Sequence, residues 1–315
     1  MVVKMTLLKG GNMKRIFIAA LLATSSVHAH FFLPEEMIHS HLKSYTEEEK
    51  TAIQKDLAVV KSVCFPTHLE AKKHPVYLAT AGSPGTRKST ILEKFLHNNA
   101  AYTDCVYLDP DTRTLKYMVH TYISRSLSPY VVAETGDYNL VVKNGYEKWR
   151  GASLYISGML IEEVLGHQAD FAHGTTLTGD VVSSLLQKLK EKGYEITLLL
   201  CSATDDFRVA SVRYRNEVTR FYQSSPEDIL SKGKLFPQRL KTYFTYADKL
   251  YFYWSDALSE TERLAATYDR GKLRVQDMEA WNLFAQKYEM DRESLRTEGK
   301  DIPSWEEQIA YLTHR

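Results

Sequence analysis

The chain has 315 residues, 44% hydrophobic and 25% charged, which supplies ample material for a buried core and excludes a disordered or fibrous class. A formal net charge of +1 with no long single-sign run excludes wholesale wrapping of nucleic acid or of an anionic membrane, though not a local basic patch. The 20 tyrosines point to packing rather than a base-stacking platform, and Cys64, Cys105 and Cys201 lack metal-ligand spacing and read as small core residues.

In chain order, Met13-Lys14-Arg15 gives a basic start and Ile16-Phe17-Ile18-Ala19-Ala20-Leu21-Leu22-Ala23 a short apolar run. Val27-His28-Ala29 then offers a small-residue cleavage site, so 1–29 reads as a signal peptide. The run is far below the roughly 20 residues that span a bilayer. Lys9-Gly10-Gly11-Asn12, read through its codons, is compatible with a ribosome-binding sequence, which makes Met13 a candidate start. The expectation is an exported protein, periplasmic or secreted, or a cytoplasmic one if this segment is not a functional signal.

An N-terminal helical segment is expected over 30–70. Within it 34–61 reads as helix, Ser44-Tyr45-Thr46-Glu47 resembles a capping box, and Ala52, Ile53, Leu57 and Val60 fall at helical spacing. Apolar β-type runs follow at 76–81, 105–108, 170–173, 196–201 and 249–253. Between them helices are expected at 90–98, 146–165, 180–192, 205–222 and 226–246, with Tyr146, Trp149, Ala152, Ile156, Leu160 and Val164 as a core stripe. This alternation predicts an α/β fold over 71–256, a mainly parallel sheet between helical layers, with ligands beyond the carboxyl ends of the strands. From Asp256 onward the chain reads as charged and helical, a C-terminal extension over 257–315.

The first expected strand runs into Gly82-Ser83-Pro84-Gly85-Thr86-Arg87-Lys88-Ser89-Thr90, followed by a helical pattern. This is the layout of a phosphate-binding P-loop, with Arg87 in place of the second glycine. Backbone N–H groups of such a loop and of the helix behind it cradle phosphate oxygens. Lys88 would reach the β- and γ-phosphates and Ser89 would join the Mg²⁺ shell. The alternative is an ordinary Gly-Pro-Gly turn with a solvated Arg-Lys pair.

After the second strand come Asp109-Pro110-Asp111, where either carboxylate could orient an attacking alcohol and accept its proton, the alternative being a turn that caps the next helix. After the third come His173-Gly174-Thr175-Thr176, a sharp turn with an imidazole and two hydroxyls for a polar substrate, the alternative being a structural histidine. After the fourth, Arg208, Arg213, Arg215 and Arg220 offer guanidinium groups that could meet charge on a transferring phosphoryl group. A solvated charged face is the alternative for most of them, and Arg239 and Lys241 read as surface.

Together these elements resemble the zeta toxin family of P-loop kinases, over about 75–254. The resemblance is carried by the phosphate loop, Leu108-Asp109-Pro110-Asp111, His173-Gly174-Thr175, Lys192-Gly193-Tyr194-Glu195, the arginine helix and Ala247-Asp248-Lys249-Leu250-Tyr251. It implies ATP and Mg²⁺, with a uridine diphosphate-N-acetylglucosamine-like acceptor and, in many members, an antitoxin partner. It also implies Lys88 on the phosphates, Ser89 with Asp109 on the metal, Asp111 as the catalytic aspartate, Arg215 and Arg220 as lid arginines, with Arg213 competing for the first of these, and Gly174-Thr175 on substrate. Two positions depart from the family pattern: His173 stands where a glutamate is usual and Leu177 where a substrate-contacting arginine is expected. The reading is therefore an exported or effector-type phosphotransferase acting on a small, nucleotide-like alcohol. Its alternatives are a non-catalytic nucleotide-binding module with a helical tail for a partner, or a kinase of a nucleoside, an antibiotic or RNA.

Overall fold

The computed structural model describes residues 32–218, 226–258 and 260–314. The expected signal peptide, Arg220 and the end of the 205–222 helix lie outside the described residues.

The N-terminal stretch forms α1 (Glu35–Ser40) and α2 (Glu47–Cys64), not one helix from 34 to 61. The interruption buries Tyr45, whose ring stacks on Trp149 at 5.5 Å and whose hydroxyl donates to Lys148 O at 2.6 Å. The capping box therefore sits two residues later than expected. Thr46 Oγ1 accepts from the Glu49 backbone N–H, and the Thr46 N–H donates to the Glu49 carboxylate.

Strands and helices then alternate. β1 (Val76–Gly82) leads into α3 (Lys88–Asn98), and β2 (Val106–Leu108) into the wide turn Pro110–Thr114, α4 (Leu115–Tyr117) and α5 (Pro129–Thr135). The long α6 (Tyr138–Gly166) brings the chain back to β3 (Phe171–His173). Next come α7 (Val182–Glu191), β4 (Glu195–Ala203) and α8 (Asp205–Glu217). Then follow α9 (Pro226–Gly233), α10 (Leu235–Tyr246) and β5 (Lys249–Ser255). The single helix expected at 226–246 is thus two, broken at Gly233-Lys234.

Beyond β5 the sequence reading needs correction. The stretch read as helical opens with a hairpin, β6 (Arg263–Asp269) and β7 (Lys272–Val275), and only then forms α11 (Met278–Thr297) and α12 (Trp305–Thr313). Arg270 and Gly271 both have positive φ, 44° and 88°, as a two-residue hairpin turn demands. β6 reads Arg-Leu-Ala-Ala-Thr-Tyr-Asp, whose adjacent alanines break the period-2 alternation that would mark a strand.

The sheet order is β2-β3-β1-β4-β5-β6-β7, with β2 to β5 parallel and the hairpin antiparallel to β5. The chain leaves β1 toward one edge and later returns past it to β4. β1 therefore stands at the switch point where a crevice opens beyond the strand ends. Alternate residues of β1 face opposite layers: Leu78 packs with Ile91, Leu92 and Phe95 of α3, while Tyr77 and Ala79 join the larger core. That core takes in residues of both chain ends, from Phe32 and Ile53 to Trp305 and Leu312, so the extensions share it with the sheet. Cys201 is buried and Cys64 and Cys105 are half-buried, all as free thiols. Among the described residues no helix is long and apolar enough to cross a membrane.

Candidate active site

The loop after β1 is held from below. Ser83 is buried and its hydroxyl donates to Gly233 O at 2.9 Å, while its own carbonyl accepts from the Thr86 hydroxyl at 2.9 Å and from Lys88 Nζ at 2.7 Å. Pro84 O accepts from Arg208 Nε at 2.9 Å. Gly85 has φ +87°, and a Cβ there would lie 2.5 Å from Arg208 O, so the loop passes too close to α8 for any side chain. Burial pulls the Lys88 ammonium from 10.5 down to about 8.

Arg87, the departure from the loop pattern, takes the left-handed conformation that glycine would supply, with φ 59° and ψ 27°. Its guanidinium turns out of the loop toward the segment before β6, with Nε 2.9 Å from Glu262 and one terminal nitrogen donating to Glu260 O at 2.9 Å. The cation does not fill the cradle.

Opposite the loop, the end of β2 presents the two carboxylates. Asp109 is buried: Oδ1 accepts from the backbone N–H groups of Asp111 and Thr112, both at 2.9 Å, and Oδ2 accepts from the Ser89 hydroxyl at 3.1 Å. Burial, and then the charge of Asp111, raise its pKa. Gly174 is what lets it sit there, since a Cβ at 174 would lie 2.5 Å from Asp109 Oδ2. Asp111 stands further out, accepting from the Tyr146 hydroxyl at 3.3 Å and facing Arg150 Nε at 3.5 Å.

These groups border one cleft of about 560 Å³. Its floor is formed by Pro84, Gly85 and 87–90, with Asp109 and Asp111 at one side. Gly174, Thr175 and Thr176 enter from β3, Arg215 from α8 and Lys232 from α9. Thr175 is fixed by Thr80, whose hydroxyl donates to its carbonyl at 2.7 Å and accepts from its N–H at 3.0 Å. Burial lowers the Arg215 pKa while Asp111, Tyr146 and Asp109 act against that. Arginine nevertheless keeps its charge.

The structure separates residues that the sequence left together. Of the arginines on α8, Arg215 faces the cleft and Arg213 is exposed on the opposite side, beside Tyr214 and Glu217. Arg208 is neither lid nor surface. It is buried beneath the loop, bonded to Pro84 O, Asp205 and Ile229 O.

His173, expected on the substrate, requires correction. It is buried, its Nδ1 lies 2.9 Å from the Tyr77 hydroxyl, and it does not border the cleft. Burial drops its pKa to about 4, so the ring stays neutral in the core. The strand pleat explains the placement: Gly174 turns the chain into the cleft one residue later, leaving His173 on the core face.

Several cleft-side residues escaped the sequence reading, Tyr146, Arg150 and Lys232 among them. Tyr146 was assigned to the core stripe, and it does pack there, but its hydroxyl reaches Asp111. Arg150 follows it by four residues on α6, a charge on the flank of an apolar stripe, and that spacing was the available signal. Lys232 comes from the last turn of α9, and only the packing of that helix beside α8 brings it to the cleft.

The profile of the zeta toxin family matches residues 65–224, half of the chain. The chain belongs to the zeta toxin family. This zeta toxin domain is similar in fold to a chain of the AvrRxo1-ORF1:-ORF2 structure with ATP, with TM-score 0.52, 16% identity, and 79% of this chain and 76% of that chain covered. It is similar also to a chain of the PezAT chromosomal toxin–antitoxin system of Streptococcus pneumoniae, with TM-score 0.50, 16% identity, and 87% and 100% covered. A comparison with curated proteins returns no match.

As a test of fit, the loop's glycine-lined cradle and inward lysine suit a polyphosphate. The adjacent Ser89 hydroxyl and Asp109 carboxylate suit a hard divalent cation that draws its remaining ligands from phosphate and water. Among the described residues no group of three or more His, Cys, Asp or Glu could hold a metal by itself.

Proposed function

We propose that the protein transfers the γ-phosphoryl group of ATP to a hydroxyl of a small, anionic, nucleotide-like acceptor. The observation that carries this reading is the convergence of Lys88, the Ser89–Asp109 pair, Asp111 and Arg215 on one cleft at the switch point of the sheet. Lys88 and the loop N–H groups bind the β- and γ-phosphates, and Ser89 and Asp109 hold Mg²⁺, which would neutralise phosphate charge when bound. Asp111 accepts the proton as the acceptor oxygen bonds to phosphorus and the bond to the bridging oxygen of ADP breaks. Arg215 offsets the charge that spreads onto the transferring oxygens.

On the acceptor side the two departures noted in the sequence leave no carboxylate or guanidinium at 173 and 177. His173 is core, and Leu177 is buried with a left-handed backbone, φ 51°. Arg150, Lys232 and the Thr175-Thr176 hydroxyls border that side instead, a set suited to phosphate or carboxylate on an alcohol. This leaves the nucleotide sugar as one candidate among nucleotide-like acceptors. The outward guanidinium of Arg87 supports the catalytic reading over the non-catalytic nucleotide-binding module. We propose further that the chain is exported through its first residues and has an antitoxin or host protein as partner. Intact-mass analysis of exported protein, with a mature chain starting near His30, would bear on the first point.

The test is a mass-spectrometric screen of a metabolite extract incubated with ATP and wild-type or Lys88→Ala protein. A species gaining phosphate in the wild-type sample alone is expected. Asp111→Ala should lower its formation by about 10²–10⁴-fold while ATP·Mg still binds. Wild-type transfer by a purified Asp111→Ala variant removes the proposed base, and ATP binding without transfer to any acceptor favours the non-catalytic module.

A further inference from the structure

The segment joining β5 to β6 reaches back over the phosphate loop. Glu262, at its end, has a side chain only 2% exposed, with Oε1 2.9 Å from Arg87 Nε and Oε2 2.7 Å from Lys94 Nζ. Arg87 caps α3 and Lys94 lies two helical turns further along the same face, so one carboxylate grips the helix at its start and in its body. Glu260 O accepts from the same guanidinium at 2.9 Å, and Leu258 of this segment borders the cleft.

Arg87 is held at φ 59°, a conformation that glycine adopts freely and that a bulky residue keeps only when its surroundings impose it. A carboxylate as buried as Glu262 in turn needs its cations nearby. Each requirement meets the other. We infer that Glu262 is a positioning residue for the nucleotide site. It clamps Arg87 in the left-handed conformation and so aims the N-terminal N–H groups of α3 and the Lys88 side chain at the triphosphate. This rests on the kinase reading above and deepens it, because it makes the hairpin extension part of the nucleotide site. It also accounts for an arginine standing where the loop motif has glycine.

The test is a double-mutant cycle on the full chain, reading ATP·Mg affinity by calorimetry. Glu262→Gln keeps the side-chain shape and removes its charge. In the natural background it is expected to weaken ATP·Mg binding about tenfold, with the change in KM for ATP rather than in kcat. In an Arg87→Gly background, where the backbone no longer needs the clamp, the same substitution should cost less than about twofold. Equal losses in both backgrounds, or no loss in the natural one, would overturn the clamp. Failure of the natural chain itself to bind ATP·Mg would instead overturn the kinase reading, so the two failures are told apart. Should the glutamine variant not fold, Glu262→Asp, which withdraws the carboxylate by one methylene, goes through the same cycle under the same criteria.

Discussion

On the nucleotide side of the cleft, Ser83, Pro84, Arg87 and Ser89 are each bonded to a group set in the core or the sheet extension: Gly233, Arg208, Glu262 and Asp109. On the acceptor side, Asp111 meets the Tyr146 hydroxyl at 3.3 Å and Arg150 at 3.5 Å, and the Arg150 side chain is 44% exposed. The first wall is built as an interior is, with buried groups holding the loop in place. The second is built as a surface is, from long side chains near water. A buried, bonded wall tolerates little change, whereas exposed ion pairs of small individual worth can be exchanged at low cost.

The comparison breaks most sharply at Gly174. A methyl group there meets the Asp109 carboxylate at 2.5 Å, so Gly174→Ala must displace a group that the nucleotide wall holds rigid. Transfer should fall by about a hundredfold or more, because a misplacement of roughly 1 Å in a preorganised site costs that much. Steady-state kinetics would measure it, and a near-normal rate would mean that this wall is softer than its bonding suggests.

Arg150→Ala sharpens the comparison from the other side. Removing a half-exposed guanidinium should raise the acceptor KM by about tenfold and leave the ATP dissociation constant within about twofold, as a rim charge would. An equal loss of ATP affinity would show that the two walls are coupled.

A pH dependence of similar size is confined to the nucleotide side. Lys88 has a pKa of about 8 in the free protein, so its ammonium is charged below that pH and neutral above it. ATP affinity should therefore be steady from pH 6 to 7 and fall by about tenfold between pH 7 and 9, since a group with a pKa near 8 loses about that factor of its charged form. Binding isotherms across this range check it. A flat profile would mean that the lysine is charged throughout.

Much of the central region was legible in the sequence because its signals are local. An apolar run ending in Gly82 and followed by Lys88-Ser89 sets a strand, a turn and a helix start, whatever the rest of the chain does. The hairpin at 263–275 was not legible. Its first strand lacks a clean alternation, and its decisive turn, Arg270-Gly271, lacks the usual asparagine or aspartate. Arg208 and Glu262 were illegible for another reason. Each is a charge that the core accepts only because distant carbonyls or cations meet it there.

The amino-acid order alone therefore determined the strand–helix alternation, the phosphate loop and the acidic turn after the second strand, since each depends on neighbours within about ten residues. Tertiary structure decided which of several arginines faces the cleft, that His173 belongs to the core, and that a glutamate 175 positions beyond Arg87 holds the loop's odd residue in place. Those outcomes depend on what surrounds a charge once water is excluded, and no local pattern carries that information.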